Sequence, residues 1–186
     1  MSNIKKKRLF IALNLPAETK EAISNFVDNI RENWGGIRWI SSLGLHITLH
    51  FLGEMTFEDE EEVRLSLQSL DYQFKELEFE IVKLGVFPNM NRPRIVYLAC
   101  RQTNGNSIEK LQELIGFNFV KLGIKIDEKK WKPHITIGRA NGQIKASLPG
   151  EFEKIKFKAT TFDLMEAFLK TTGAEYKKLA SYKFSE

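Results

Sequence analysis

The chain has little of what stabilises small secreted proteins or builds metal centres, with one cysteine and three histidines in 186 residues. A lone cysteine excludes an internal disulfide. Cys100 follows an apolar run at 95–99, which predicts a buried, unreactive thiol. Because disulfides mark oxidising compartments, their exclusion favours a cytoplasmic protein.

Long apolar segments are missing as well. The basic residues 5–8 precede only five apolar ones, 9–13, before Asn14 and Pro16. That stretch is shorter than the roughly 20 residues of a membrane span and the ~7–15 of a signal-peptide core. It predicts a first core strand, and no association with a membrane is expected.

Charge of neither sign dominates, since 28 basic residues face 24 acidic ones and the formal net charge is +4. This balance permits binding to RNA or nucleotides without requiring it. With 42% hydrophobic residues and no linker or low-complexity tract, residues 1–186 are expected to form a single soluble domain.

What the chain does contain is a repeated pattern around two of its histidines. The runs His46-Ile47-Thr48-Leu49 and His134-Ile135-Thr136-Ile137 lie 88 positions apart. Two His-x-Thr matches among three histidines would arise by chance in roughly 1% of chains with this composition. Coincidence is therefore a poor explanation.

Strand geometry gives the repeated pattern a chemical meaning. Alternate side chains point to opposite faces of a strand, so each motif has a polar face with His and Thr and an apolar core face. Imidazoles exchange protons near neutral pH, and Thr hydroxyls donate hydrogen bonds to anionic oxygens. Two facing copies suit a phosphodiester, which needs one proton delivered and another removed.

The same alternation assigns the neighbours of the first motif. His50 is expected to share the face of His46 and Thr48, and Phe51 to lie on the core face. Phe51, Phe87 and Trp39 could each stack on a base, but all three are expected to be packing residues.

The order of local patterns predicts an α+β fold with largely antiparallel sheets. Strands are expected at 9–13, 37–40, 46–53, 74–86, 94–100, 152–157, 162–169 and 176–184, and the second motif lies on a further strand. Helices are expected over 16–34, 56–70 and 107–122, because apolar residues there recur at three- and four-residue spacing.

The two motifs and their surroundings resemble the 2H phosphoesterase superfamily, in particular its RNA 2′,3′-cyclic phosphodiesterase branch, formerly called 2′-5′ RNA ligases. Beyond the motifs, the likeness rests on Arg38-Trp39, Gly85-Val86-Phe87-Pro88, Arg92-Pro93-Arg94 and Gly173-Ala174-Glu175-Tyr176, so it spans almost the whole chain. The resemblance implies a bilobal fold of two pseudo-symmetric lobes, each of largely antiparallel sheet with outer helices, around a central cleft. It also implies hydrolysis of a terminal 2′,3′-cyclic phosphate to a 2′-phosphomonoester without metal or cofactor.

Within that resemblance, His46 matches the general acid that protonates the departing 3′ oxygen, and His134 matches the general base that activates water. Thr48 and Thr136 match the groups that hold the non-bridging oxygens, and Arg139 matches an arginine that adds positive charge. Strict alternation would put Arg139 on the face opposite His134. It can reach the phosphate only if the strand ends or bulges around Gly138.

Several alternatives remain open from sequence. A 2′-5′ RNA ligase or a 2′-5′ oligoadenylate phosphodiesterase would use the same groups, and a non-catalytic RNA-binding module would use the cleft only for capture. His50 could complete a three-histidine metal site, but no carboxylate or cysteine stands at ligand spacing beside the motifs, so contact with RNA at the cleft edge is expected instead. The expected partners are RNA ends or nucleoside 2′,3′-cyclic phosphates, bound by a monomer.

Overall fold

The computed structural model describes residues 5–127, 129–140, 154–171 and 173–186. Within these ranges the strands are β1 (Lys7–Asn14), β2 (Ile37–Trp39), β3 (His46–Met55), β4 (Leu77–Phe87), β5 (Ile95–Gln102), β6 (His134–Ala140), β7 (Lys156–Ala159), β8 (Thr161–Lys170) and β9 (Gly173–Lys183). The helices are α1 (Ala17–Arg31), α2 (Phe57–Gln68) and α3 (Ser107–Lys121), and a 3₁₀ turn (Ser42–Gly44) precedes β3. The α+β class predicted from sequence is confirmed.

The helices cover the apolar side of the sheet. Each buries apolar residues at four-residue spacing, with Ile23 and Val27 on α1, Val63 and Leu67 on α2, and Ile115 and Phe119 on α3. The start of α2 is fixed locally, because Thr56 and Asp59 exchange side-chain to backbone hydrogen bonds in a capping box.

Three strands begin three or more residues away from the predicted position, among them β9, which begins at Gly173 rather than at 176. The strand expected at 152–157 begins only at Lys156, with 154 and 155 outside it, and residues 152 and 153 lie outside the described part of the chain. The strand expected from 74 begins at Leu77. Strand ends depend on partners: Leu77 is the first residue of β4 to pair with β7, opposite Ala159.

The sheet order places the two motif strands side by side at the centre. The order is β7-β4-β5-β6-β3-β1-β8-β9, with β2 paired to β6, and the named strands pair antiparallel. The unit β1–α1–β3 on one side recurs as β5–α3–β6 on the other. An approximate two-fold axis therefore passes between Ile47 and Ile135, where β3 meets β6, and it relates the two lobes.

Two further observations concern membrane-spanning helices and the single thiol. Among the described residues, no helix combines the length and apolar character needed to cross a membrane. The Cys100 thiol is buried, as predicted, and burial raises its pKa well above the ordinary range.

Candidate active site

The pairing of β3 with β6 brings the polar faces of the two motifs together. Ile47 lies opposite Ile135, and both are fully buried, so the residues on either side of them face the other side of the sheet. In this antiparallel register the position of His46 lies opposite that of Thr136, and Thr48 lies opposite His134. The four side chains form a quartet with the two histidines on one diagonal.

Each motif imidazole is tethered by the backbone carbonyl two residues before it. Nδ1 of His46 donates to the carbonyl of Gly44 at 2.8 Å, and Nδ1 of His134 donates to the carbonyl of Lys132 at 2.8 Å. A carbonyl can only accept, so Nδ1 carries a proton in both rings and Nε2 is left for proton transfer. The same tautomer is thus fixed in both lobes.

Aromatic rings support both imidazoles. His46 lies 5.0 Å from the ring centroid of Phe10 and 5.0 Å from that of Tyr176, and His134 lies 5.7 Å from that of Tyr97. Tyr97 lies across Gly85, where a Cβ atom would come within 2.6 Å of its ring. Gly85 is therefore required by the position of the tyrosine beside His134.

Burial dominates the electrostatics of His46. It lowers the pKa of His46 to about 4, the Gly44 carbonyl acts in the opposite direction, and the charges of Lys20 and His134 lower it further. Burial and the nearby charge of Lys178 lower the pKa of Lys20 as well. In the substrate-free protein His46 is therefore neutral at neutral pH, close to a cationic group.

One buried carboxylate accompanies these lysines. Asp163 has no exposed surface, accepts a hydrogen bond from Nδ2 of Asn14 at 2.6 Å and lies 3.4 Å from Nζ of Lys178. Asn14 is the cross-strand partner of His46. A buried polar network therefore supports the β1 side of the quartet.

A β-bulge follows the threonine in both motif strands. One residue after each threonine has no partner across the ladder, namely Leu49 in β3 and Ile137 in β6. An inserted residue reverses the faces of everything that follows it. The two bulges occupy equivalent positions, so they obey the same two-fold symmetry as the quartet.

The bulge in β6 moves Arg139 to the face of His134 and Thr136. Gly138 is buried and Arg139 is exposed, which is the arrangement that the bulge predicts. Arg139 lines a cavity of about 140 Å³ together with Arg8, Phe51 and Tyr176. The strand therefore bulges just before Gly138, as it must if Arg139 is to lie on the face of His134.

The matching bulge in β3 shows that the expectation for His50 is wrong. His50 is only 5% exposed, its Nε2 lies 2.7 Å from the carbonyl of Gln112, and its ring packs against Phe119. It does not share the face of His46. Its imidazole therefore neither contacts RNA at the cleft edge nor joins the two motif histidines in a metal site.

The bulge in β3 has the opposite effect on Phe51, which becomes exposed. Alternation predicts that it lies on the core face, but 66% of it is exposed, and it borders the same cavity as Arg139. Phe87 is also exposed rather than packed, whereas Trp39 is half-buried and packs against Trp34 as expected. Phe51 and Phe87, both expected to be packing residues, are thus exposed to a ligand.

The paired motifs, which share one tautomer and one bulge position, lie as the resemblance to the 2H phosphoesterase superfamily implies. The family described as LigT-like phosphoesterase matches residues 13–97, which include the first motif. An RNA 2′,3′-cyclic phosphodiesterase of Methanocaldococcus jannaschii is 32% identical over 177 residues, which cover 91% of this chain and 96% of that protein.

Solved structures share the fold. The protein TT0787 of Thermus thermophilus has a TM-score of 0.79 at 25% identity and covers 95% of this chain and 97% of its own. E. coli LigT complexed with 3′-AMP has a TM-score of 0.81 at 20% identity, with 98% and 100% covered. The chain belongs to the LigT-like phosphoesterase family.

Proposed function

We propose that this chain is an RNA 2′,3′-cyclic phosphodiesterase, which hydrolyses a terminal cyclic phosphate to a 2′-phosphomonoester by metal-independent two-histidine catalysis. The observation that carries the proposal is the pair of imidazoles on one diagonal, each with Nδ1 held by a carbonyl and Nε2 left for proton transfer. In-line displacement needs an acid and a base on opposite sides of phosphorus. The name carried by the relative from M. jannaschii supports the same reaction.

In this proposal His46 is the general acid for the 3′ oxygen, and His134 is the general base for the attacking water. An acid must be protonated, whereas burial keeps His46 neutral in the substrate-free protein. The phosphodiester is an anion, and its charge beside Nε2 favours the protonated imidazole. Substrate binding would therefore favour protonation of His46, which the general acid requires.

The remaining groups of the site would stabilise charge on phosphorus. Thr48 and Thr136 would donate to the non-bridging oxygens, and Arg139 would add the positive charge that a hydroxyl lacks. A preorganised donor of this kind is worth about 10²-fold in rate. Phe51 offers an exposed ring on which a base can stack.

The proposal extends to the working unit. Both histidines come from one chain and from adjacent strands of one sheet, so the site needs no second copy. We propose that residues 1–186 act as a single domain and a monomer in the cytoplasm, on RNA ends or nucleoside 2′,3′-cyclic phosphates.

Replacement of each histidine tests this function. His46→Ala and His134→Ala should each lower turnover of adenosine 2′,3′-cyclic phosphate by at least about 10²-fold, because each removes one proton-transfer group. His50→Gln is the matched control, since His50 faces the core, and it should retain turnover once folding is verified by thermal melting. Turnover by His134→Ala at the wild-type rate would contradict the proposal and leave a binding module as the better alternative.

A further inference from the structure

The cavity beside His46 is lined by two arginines and by mostly apolar residues. Arg8 of β1 and Arg139 of β6 line it, together with Phe51, Tyr176 and small or apolar residues of β1, β3, β8 and β9. Its volume of about 140 Å³ is smaller than the roughly 300–1,000 Å³ of a site that encloses a whole small ligand. It therefore fits one part of a ligand whose remainder lies outside it.

Neither arginine of this cavity is neutralised by the described part of the chain. Arg31, Arg64 and Arg101 each have a carboxylate within 4.0 Å, whereas Arg8 and Arg139 have none there. Glu54 is the cross-strand partner of Arg8, yet the two form no ion pair. Two unpaired guanidinium groups on one small cavity favour an anion, and phosphate matches their planar donor geometry.

The position of the cavity indicates which phosphate it would receive. Phe10 and Tyr176 contact the His46 imidazole and also form part of the cavity wall, so the cavity begins one side chain from the proposed acid. A 2′,3′-cyclic phosphate ends its strand, so RNA can continue only from the 5′ oxygen of the terminal nucleoside. The first anionic group in that direction is the phosphate on that 5′ oxygen.

We propose that this cavity is a subsite for the 5′-phosphate or 5′-phosphodiester of the terminal nucleotide. Arg8 would bind that phosphate, and Arg139 would lie between it and the cyclic phosphate. The proposal rests on the proposed function and refines its substrate, since RNA ends would be preferred to free nucleoside cyclic phosphates. Variants of Arg8 test the subsite separately from the proposed function, because Arg8 has no part in the proton transfers.

Three substrates isolate the contribution of the 5′ group. They are adenosine 2′,3′-cyclic phosphate, the same molecule with a 5′-phosphate, and the dinucleotide ApA ending in a 2′,3′-cyclic phosphate. The 5′-phosphate should raise kcat/KM about tenfold in the wild-type protein, as expected for one charge-assisted contact. The phosphodiester of the dinucleotide should give a similar gain, and high salt should reduce both.

Variants of residues in and near the cavity test whether it causes this increase in kcat/KM. Arg8→Ala should remove most of it and Arg8→Lys should keep part of it, whereas Glu54→Gln should increase it by removing a nearby negative charge. Lys110→Ala is the control for loss of an exposed cation, because Lys110 lies on α3 away from the cavity. Its ratio of kcat/KM values between the substrates should equal that of the wild-type protein.

Binding measurements decide the subsite even without turnover. Adenosine 2′,5′-bisphosphate should bind about tenfold more tightly than 2′-AMP, and Arg8→Ala should abolish the difference. Equal affinities, or a difference that survives in Arg8→Ala, would overturn the subsite while leaving the proposed function intact. Absence of turnover of all three cyclic substrates would overturn the proposed function, and the binding ratio would still decide the subsite.

Discussion

The His46 imidazole should resist protonation in the free protein and accept a proton when a phosphate binds. Burial beside Phe10 and Tyr176 lowers its pKa from 6.5 to about 4, which corresponds to roughly 3 kcal/mol in favour of the neutral ring. A bound 2′-AMP places negative charge near Nε2. We expect the pKa of His46 to rise toward its ordinary value when 2′-AMP binds, because that charge favours the protonated imidazole.

The assay is a nuclear magnetic resonance titration of the histidine Cε1–H signals between about pH 3 and pH 8. His46→Gln and His50→Gln assign the signals, and each titration is run with and without 2′-AMP. The free protein should show a His46 midpoint near 4, and saturation with 2′-AMP should move that midpoint upward. A midpoint near 6.5 in the free protein, or no movement with 2′-AMP, would refute the reasoning.

The same pKa shift predicts a pH-dependent stability. The unfolded chain takes up a proton at His46 below pH 6.5, while the folded protein does so only near 4. The contribution of His46 to the free energy of unfolding is therefore complete above 6.5 and is lost as the pH falls through 4. Between those limits the wild-type protein should lose roughly 3 kcal/mol more than His46→Gln does, measured by denaturant unfolding at each pH. Parallel curves for the two proteins would contradict this.

Three further predictions concern the donors, the bulge and the thiol. Thr48→Val and Thr136→Val should each lower kcat by about 10²-fold at nearly constant Tm, because each removes a donor without changing shape, and an unchanged kcat would exclude that role. Gly138→Val should lower the free energy of unfolding by about 1–3 kcal/mol and lower kcat, because a Cβ at this position would come within 2.6 Å of Ile37. Gly35→Ala is the control and should change neither quantity, because a Cβ at Gly35 meets no other atom within 4 Å. A Gly138→Val protein with unchanged stability would show that the bulge tolerates a side chain. Cys100 should react with a thiol reagent only after unfolding, because burial raises its pKa, and rapid labelling of the folded protein would contradict its burial.

Alternation was sufficient to predict β3 and β6 as far as their threonines. Ile47 and Ile135 pack in the core, so the opposite face of each strand is fixed by the residues on either side. Alternation failed at His50 and Phe51 because an unpaired Leu49 shifts the register against β1. The position of an unpaired bulge residue depends on the pairing with the neighbouring strand, and the sequence of the bulged strand alone does not specify it.

The aromatic environment of the histidines could not be predicted from local sequence. Phe10, Tyr97 and Tyr176 come from β1, β5 and β9, and their contacts with the imidazoles depend on how these strands are ordered. Gly85 carried a signal, since a glycine within a strand often marks close approach of another group. Its partner, Tyr97, becomes evident only from the register of β4 and β5.

Product analysis on adenosine 2′,3′-cyclic phosphate in the presence of a metal chelator tests the two-histidine reaction most directly. Chromatography that separates 2′-AMP from 3′-AMP should show 2′-AMP alone, formed at a rate that the chelator does not change. Hydrolysis that stops on chelation would contradict metal-independent catalysis by His46 and His134, and 3′-AMP as the product would contradict protonation of the 3′ oxygen by His46.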